Sequence, residues 1–404
     1  MKILVLNSGS SSQKSALFEL GTDSPDHPVP PVWEGKLEWD GTKETLSIRN
    51  SHAKKIQATR EGPSNGGSAS LGALLGNLWS GETAVVSSRE EIDVIGHRIV
   101  HGGARLTAPV VITSEVTDAI ARVADIAPLH NKSGLEGIRI AEALLPGKPQ
   151  VAVFDTGFHR TLPPAAAVYP GPYEWLAQGI RRYGFHGINH EYCAQRAAHM
   201  LKRDLSRLRI VTCHLGNGCS LAAVDGGRSV DTTMGFTPLE GLMMGTRSGS
   251  MDPGVLFHLL RRETASAASL DDILNHCSGL LGISGVSSDM RDVLEAAGQG
   301  NQRAKLAFDI FVHRLETGIA AMAGSLGGVD AVVFTGGIGE NSAEVRDAAC
   351  AKLSFLGLEL DREKNRTAQP DLDIAVAQST VRVLVIRAQE DWAIARECTR
   401  LSPQ

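Results

Sequence analysis

This sequence lacks the common signatures of nucleotide and metal enzymes. GxxxxGK[ST] occurs nowhere, which excludes a P-loop protein. GxGxxG is missing after a strand too, since Gly337-Ile338-Gly339 has no third glycine. HExxH fails at Ala194, four positions after His190. Dehydrogenase, P-loop ATPase and zinc protease chemistry all lose their usual support. The six cysteines (Cys193, Cys213, Cys219, Cys277, Cys350, Cys398) form no CxxC pair, so a reduced cytoplasmic compartment is the simpler expectation. No window approaches the ~18 apolar residues of a membrane span. The opening MKILVLNSGS is too short in apolar residues for a signal peptide and reads as a first strand. Net charge is −5 with the signs well mixed, so no basic surface argues for nucleic acid or an anionic membrane.

Glycine is plentiful, and it is placed. Arg209 to Gly235 reads as a short apolar run, then the loop His214-Leu215-Gly216-Asn217-Gly218, then a small-residue strand, Ser220 to Val224. Such loops expose backbone N–H groups to an anion, because glycine permits close approach and positive φ. The N-terminal stretch repeats the plan: strand, Asn7-Ser8-Gly9-Ser10-Ser11-Ser12, strand. A third loop, Gly336 to Asn341, follows the run Val329 to Thr335. Tight turns explain most lone glycine pairs; three loops, two of them duplicated, reverse that balance in favour of phosphate binding. At 404 residues the chain should divide into roughly two or three domains.

In chain order, residues 1 to about 20 read as a hairpin, and Gly21 to Pro31 as an exposed turn. Trp33 to Ile48 reads as antiparallel strands about an Asp40-Gly41 turn, and Glu61 to Ser70 as loop. Asp93 to Gly103 is a buried strand ending in a polar loop. A helix capped by Thr113 or Ser114 carries Val116, Ile120 and Val123 on one stripe. Ala127 to Leu144 is a loop entering a helix, and Gln150 to Asp155 a strand. Asp252 to Glu263 and Leu306 to Gly327 read as amphipathic helices, and Val329 to Ser342 as strand, glycine loop and helix start. Strand–helix alternation here predicts a partly parallel sheet flanked by helices.

Several side chains could carry chemistry. Arg98 ends an apolar strand, and Arg247 sits in the irregular, methionine- and glycine-rich stretch Met234 to Gly254. Each alone is more often a salt-bridged structural arginine; together they could clamp a phosphoryl group. Asp155 ends a strand, where an acid can face a cleft or cap a turn. The histidines gather near loops, and any single one is ordinarily structural. A phosphate site would take magnesium on oxygen ligands, for which Asn7, Asp155 and Glu390 lie in suitable loops. Cys213 and Cys219 read as small buried fillers, and Met243 and Met244 as packing.

With these residues assembled, the chain resembles the acetate kinase family, within the superfamily of actin, sugar kinases and chaperone ATPases. The motifs are NSGSSSQK, GHRIVHGG, APLHN, VFDTGFH, RRYGFHG, HLGNG, TPLEGLMMGTRSGSMDPG, GISGVSSDMRD and FTGGIGENS. The resemblance implies an α/β fold with a duplicated βββαβαβα core, a nucleotide cleft between two domains (1–155 on the acid-substrate side, 156–404 on the nucleotide side) and a homodimer. The C-terminal helix has the option of packing back on the first domain. The implied reaction is ATP + acetate ⇌ ADP + acetyl phosphate, with Mg²⁺ or Mn²⁺. Asn7 and Glu390 would hold the metal, and Lys14, Ser10 and Ser12 would sit near the phosphates. Arg98 would bind the carboxylate; Asp155 would be the essential acid; His186 and Arg247 would stabilise the transferring group. His214 to Gly218, Asp289-Met290-Arg291 and Gly337-Ile338-Gly339-Glu340-Asn341 would bind nucleotide.

A carboxylate nucleophile is already ionised at pH 7, so Asp155 need not act as a base and is expected to help hold the metal. Lys132 stands where the family's proline follows APLHN, and Ala388-Gln389-Glu390-Asp391 replaces Thr-Asn-Glu-Glu, so Asp391 could share the metal site. An apolar pocket of Val100, Leu129, Phe185 and Pro238 would take the methyl group. One methylene alters selection by only ~1–3 kcal/mol, leaving propionate as the near alternative. A sugar kinase would want a hydroxyl-binding second site, and a chaperone-like ATPase a peptide-binding segment that this sequence does not show.

Overall fold

Ile3, Leu4, Val5 and Leu6 are all at most 1% exposed, the pattern of a strand covered on both faces of its sheet. The computed structural model describes residues 1–9, 12–21, 27–39, 43–61, 68–123 and 128–401, leaving aside the side chains of residues 68 and 128–130. Ser10 and the Asp40-Gly41 turn lie outside the described residues, as does the Leu129 side chain. Two compact units divide the chain: residues 1–157 with 389–404, and residues 158–388.

The first unit holds β1 (Lys2–Ser8), β2 (Ser12–Glu19), β3 (Trp33–Trp39), β4 (Lys43–Asn50), β5 (Lys55–Glu61), β6 (Val94–Ile99), β7 (Val110–Val111) and β8 (Gln150–Phe154). They form one sheet in the order β5-β4-β3-β2-β1-β6-β8-β7. β1 to β5 are antiparallel, while β1, β6 and β8 run parallel. The second unit repeats the plan with β9 (Arg209–Leu215), β10 (Cys219–Asp225), β11 (Arg228–Thr232), β12 (Ala331–Thr335), β13 (Leu372–Asp373) and β14 (Arg382–Val385). Its order is β11-β10-β9-β12-β14-β13, again an antiparallel hairpin pair joined to parallel strands. So β3-β2-β1-β6-β8 and β11-β10-β9-β12-β14 share one order and one set of directions. In both sheets the glycine loop joins the central strand to its hairpin partner.

The last helix, Glu390–Leu401, belongs to the first unit and packs on β1, β2, β6 and β8. Trp392 is 1% exposed, its ring centroid 6.1 Å from that of Phe18. The approach is close at Gly96 of β6, where a Cβ would fall 2.6 Å from Ile394 Cγ2 and 2.7 Å from Cys398 Sγ. A separate cluster of Trp33, Leu37, Leu71, Leu74, Leu75 and Leu78 fills the core between the outer strands and the helix Ser68–Gly76.

Some elements depart from expectation. Ser68 to Ser70 open a helix rather than continuing a loop, because Leu71, Leu74, Leu75 and Leu78 recur at helical spacing and are buried. The helix after APLHN starts at Pro128, whose fixed φ suits a first helical position, so His130 and Asn131 are helical. β5 was not anticipated, being polar and largely exposed at a sheet edge. Gly336–Asn341 is itself a helical turn, set off by Gly336 at φ 79°. The helix Pro253–Arg261 reads as amphipathic but has no buried residue, with Val255, Phe257 and Leu260 exposed.

Removing the Trp392 side chain should cost about 3–5 kcal/mol, as for other fully buried tryptophans. Urea unfolding of Trp392→Ala, followed by circular dichroism, checks this. Phe355→Ala serves as the control: Phe355 is 72% exposed, and its loss should change stability by less than ~0.5 kcal/mol.

Candidate active site

In the first unit the ends of β1, β6 and β8 and the start of the last helix bring charged groups together. Arg98 Nε donates to Asp155 Oδ1 at 3.2 Å and Nη2 to Asp155 Oδ2 at 2.5 Å, a two-pronged pair. Arg98 Nη1 donates to Asn7 Oδ1 at 3.4 Å. The Asn7 amide donates to Asp391 Oδ1 at 2.8 Å and to Glu390 Oε2 at 3.3 Å. Glu390 stands 4.0 Å from Arg98. Arg98, Asp155, Asn7, Glu390 and Asp391 are thus brought together. The side chains are 12% exposed for Arg98 and 1% for Asp155, so this is a desolvated network. Burial alone would weaken the Arg98 cation, but the charges of Asp155 and Glu390 outweigh it and hold its pKa above the ordinary value. Burial lifts the Asp391 carboxyl above its usual range, against the opposing pull of the Asn7 amide and Lys14.

Among the described residues no three His, Cys, Asp or Glu side chains stand as a ready-made metal cage. That does not count against magnesium, which commonly uses one or two carboxylates plus substrate phosphates and water. The donors beside Arg98 are hard oxygens, the right chemistry for it. Both Asp155 oxygens, however, are engaged by Arg98, which favours Glu390 and Asp391 as the carboxylates for a cation.

The second unit holds a different assembly. His186 has a left-handed backbone, φ 56°, immediately before the helix Gly187–Leu201, a conformation that costs a non-glycine residue about 1–3 kcal/mol. Its Nδ1 is 2.8 Å from Ser220 Oγ, and its ring stacks on His214 with centroids 4.0 Å apart. A Cβ at Gly218 would stand 3.3 Å from His186 Nε2 and 3.5 Å from Arg247 Nη1. Gly218, His186 and Arg247 thus converge, and only the bare glycine leaves space there. Arg247 Nη1 also donates to Pro238 O at 3.3 Å, and the Gly245 N–H donates to Asn217 O at 3.1 Å. The first bond braces the irregular methionine- and glycine-rich stretch internally, and the second pins it to the glycine loop.

Beside this lies a cleft of about 740 Å³. Gly216, Asn217, Asp289, Met290, Arg291, Gly337, Ile338 and Asn341 line it, joining three segments that are remote in sequence. Of the residues expected there, His214, Leu215, Gly218, Gly339 and Glu340 do not. Glu340 turns inward, where Oε1 accepts from Gly336 N at 3.0 Å and from Ala388 N at 2.8 Å. Ser288, Leu294, Ser342 and Glu344 also line the cleft and were missed. Ser342 had a legible signal, since it caps the helix Ala343–Cys350. Asp289 caps the helix Met290–Gly298 and pairs with Arg291, whose contact lowers the Asp289 pKa.

Of the apolar residues expected around a methyl group, Val100 is buried in the first unit at 4% exposure and Phe185 in the second at 1%. Pro238 is half-buried in the second unit beside Arg247. Lys14 is exposed on β2. Cys213 and Cys219 are fully buried with raised thiol pKa values, consistent with packing.

The sequence profile of the acetokinase family matches residues 2–396. The chain belongs to the acetokinase family. It is 58% identical to an acetate kinase of Gloeobacter violaceus, with 98% of each chain covered. Among solved structures, an acetate kinase of Porphyromonas gingivalis is 39% identical with a TM-score of 0.89, covering 99% of both chains. A propionate kinase of Francisella tularensis is 38% identical, also with a TM-score of 0.89, covering 99% of this chain and 100% of the other. The two-domain, actin-like α/β architecture of the acetokinase family is the one found.

Three histidines of this chain are held neutral. Burial pulls His97 and His159 down to about 4, and His190 well below its ordinary 6.5. A folded-state pKa below the unfolded value means stability is complete above pH ~6.5 and drains away as pH falls toward 4. Unfolding midpoints measured from pH 7 to 4.5 should therefore decline, and His97→Gln should flatten part of that slope.

Proposed function

We propose that this acetokinase-family phosphotransferase carries the terminal phosphoryl group of ATP to acetate, reversibly and with Mg²⁺, giving acetyl phosphate and ADP. The observation that supports it best is the division of labour between the units. One concentrates a desolvated arginine among oxygen donors; the other offers a nucleotide-sized cleft beside a histidine, an arginine and a bare glycine.

Arg98 is assigned to the acetate carboxylate, with Asp155 orienting its guanidinium through the two-pronged contact. Glu390, Asp391 and Asn7 would hold the metal, which when bound supplies charge neutralisation at the phosphates. Lys14 would add a positive charge at the same hairpin. Gly216, Asn217, Asp289 to Arg291, Gly337, Ile338 and Asn341 are assigned to nucleotide, where backbone amides of the loops would face phosphate. His186 Nε2 and Arg247 Nη1 would steady the equatorial oxygens of the group in flight. No base is required, because acetate is ionised at neutral pH; orientation and charge neutralisation carry the rate.

A homodimer is supported by the exposed apolar residues Val255, Phe257, Leu260 and Ile273 on the helices Pro253–Arg261 and Ala267–His276. A cytoplasmic location is supported by six free cysteines. Among the described residues, no helix is long and apolar enough to cross a membrane. Propionate is the second reading, favoured by the likeness to the Francisella tularensis propionate kinase.

Trapping acyl phosphate as hydroxamate, with acetate, propionate, butyrate and glycerol in parallel, tests the reading. Acetate should give the highest kcat/KM, propionate a lower one, and glycerol no product; a sugar-like acceptor preference would overturn it. Arg247→Ala should lower kcat by about 10²–10³-fold, the usual loss of one preorganised charge at a transition state. Arg98→Ala should chiefly raise the KM for acetate while leaving that for ATP near its starting value.

A further inference from the structure

Beyond the groups assigned above, the first unit carries a second hollow, of about 430 Å³, on the outer strands β2 to β5. Its walls include Lys14, Lys36, Arg49 and Lys55, with Glu34 and Asp391 as the carboxylates. The register explains why these side chains share one face. Lys14 lies directly opposite Lys36, and Arg49 directly opposite both Glu34 and Lys55. Residues directly opposite across antiparallel strands point to the same side, and like charges so placed are destabilising. Two such like-charge pairs, Lys14–Lys36 and Arg49–Lys55, stand on one small surface. Internal relief is partial: Arg49 Nε donates to Glu34 at 2.7 Å, and Lys36 pairs with Glu38 at 2.6 Å. Among the described residues, neither Lys14 nor Lys55 has a carboxylate within ion-pair distance. Four cations against two carboxylates leave the lining positive in a protein whose net charge is −5. The rung carrying Gly35 and Ile48 faces the other way, where a Gly35 Cβ would strike Trp33 and Leu74, so the core of these outer strands lies on the side opposite the hollow.

We propose that this hollow binds a compact polyanion, a phosphate ester or a di- or tricarboxylate, held by Lys36, Arg49 and Lys55 with Lys14 at its inner edge. The volume suits a small metabolite. An anion here offsets both like-charge pairs at once, which a monovalent ion would do less well. Its occupancy reaches the acid cluster through Asp391, which lines the hollow and accepts the Asn7 amide at 2.8 Å.

Calorimetric titration of the full chain with inorganic pyrophosphate and, separately, citrate tests the site in metal-free buffer. Saturable binding is expected, and Lys36→Glu and Lys55→Glu should each weaken it by at least about tenfold, the worth of one charge-assisted contact. Both variants should retain the wild-type turnover measured without probe. Pyrophosphate binding alone would identify phosphate esters as the ligand class, and citrate binding alone polycarboxylates. Absence of saturable binding overturns the proposal. So does unchanged affinity in both lysine variants, or loss of binding in Asn217→Ala, which would place the anion in the second unit. The readout is binding rather than turnover, so it stands or falls apart from the reaction assigned above.

Discussion

The Arg98–Asp155 pair is the constraint on which the first unit's chemistry depends. A guanidinium that is 12% exposed must be compensated, and the partner carboxylate at 1% exposure does so in two-pronged geometry. A buried pair of this kind adds little net stability, because desolvation offsets most of the attraction. What it contributes is position. With Nε and Nη2 committed to Asp155 and Nη1 to Asn7, the guanidinium has one orientation. Glu390 and Asp391 then take their places around Asn7. The five members come from four segments, the ends of β1, β6 and β8 and the first turn of the last helix, which supplies both Glu390 and Asp391. The parallel core of the sheet is what aligns those ends.

The second unit solves a related problem with buried imidazoles. Its buried His159 and His190 are held neutral and tied to hydroxyls: His190 to Thr212 and Ser220, both at 2.7 Å, and His159 to Ser229 at 2.8 Å. Ser220 Oγ stands between His190 and His186, so the position of His186 is set from beneath by a fully buried ring. Neutral rings in a low-dielectric interior avoid placing extra charge beside Arg247 and the cleft. The strained backbone of His186 is the local cost of aiming its Nε2 at Gly218.

Much of this was legible in the residues. The strand–loop–strand units stood out because small residues and glycines interrupt apolar runs at two corresponding places, and both sheets do take the same strand order. Arg98, Asp155, Asn7 and Glu390 were legible as polar groups at the ends of apolar strands or beside them. The Arg98–Asp155 contact was not, since a metal-holding and an orienting aspartate look alike without the distance between them. Glu340 looked like a nucleotide contact because it lies within a glycine loop; its inward turn follows from two backbone donors, Gly336 and Ala388, the latter distant in sequence. β5 was illegible because an exposed edge strand has no burial pattern to display. The cation-rich hollow was hidden for a similar reason: cross-strand register, not spacing along the chain, sets Lys14 against Lys36 and Arg49 against Lys55.

The return of residues 389–404 to the first unit has a consequence for biosynthesis. That unit is discontinuous, with 231 residues of the second unit (158 to 388) interposed between its parts. A nascent chain emerging from the ribosome can complete the second unit while the first still lacks the helix that covers β1 and β6. Glu390 and Asp391 can reach Asn7 only after residues 158–388 have been synthesised. The acid cluster is therefore assembled after the second unit, and a product ending before residue 389 would hold a complete second unit while the first lacks Glu390 and Asp391, the partners of the Asn7 amide.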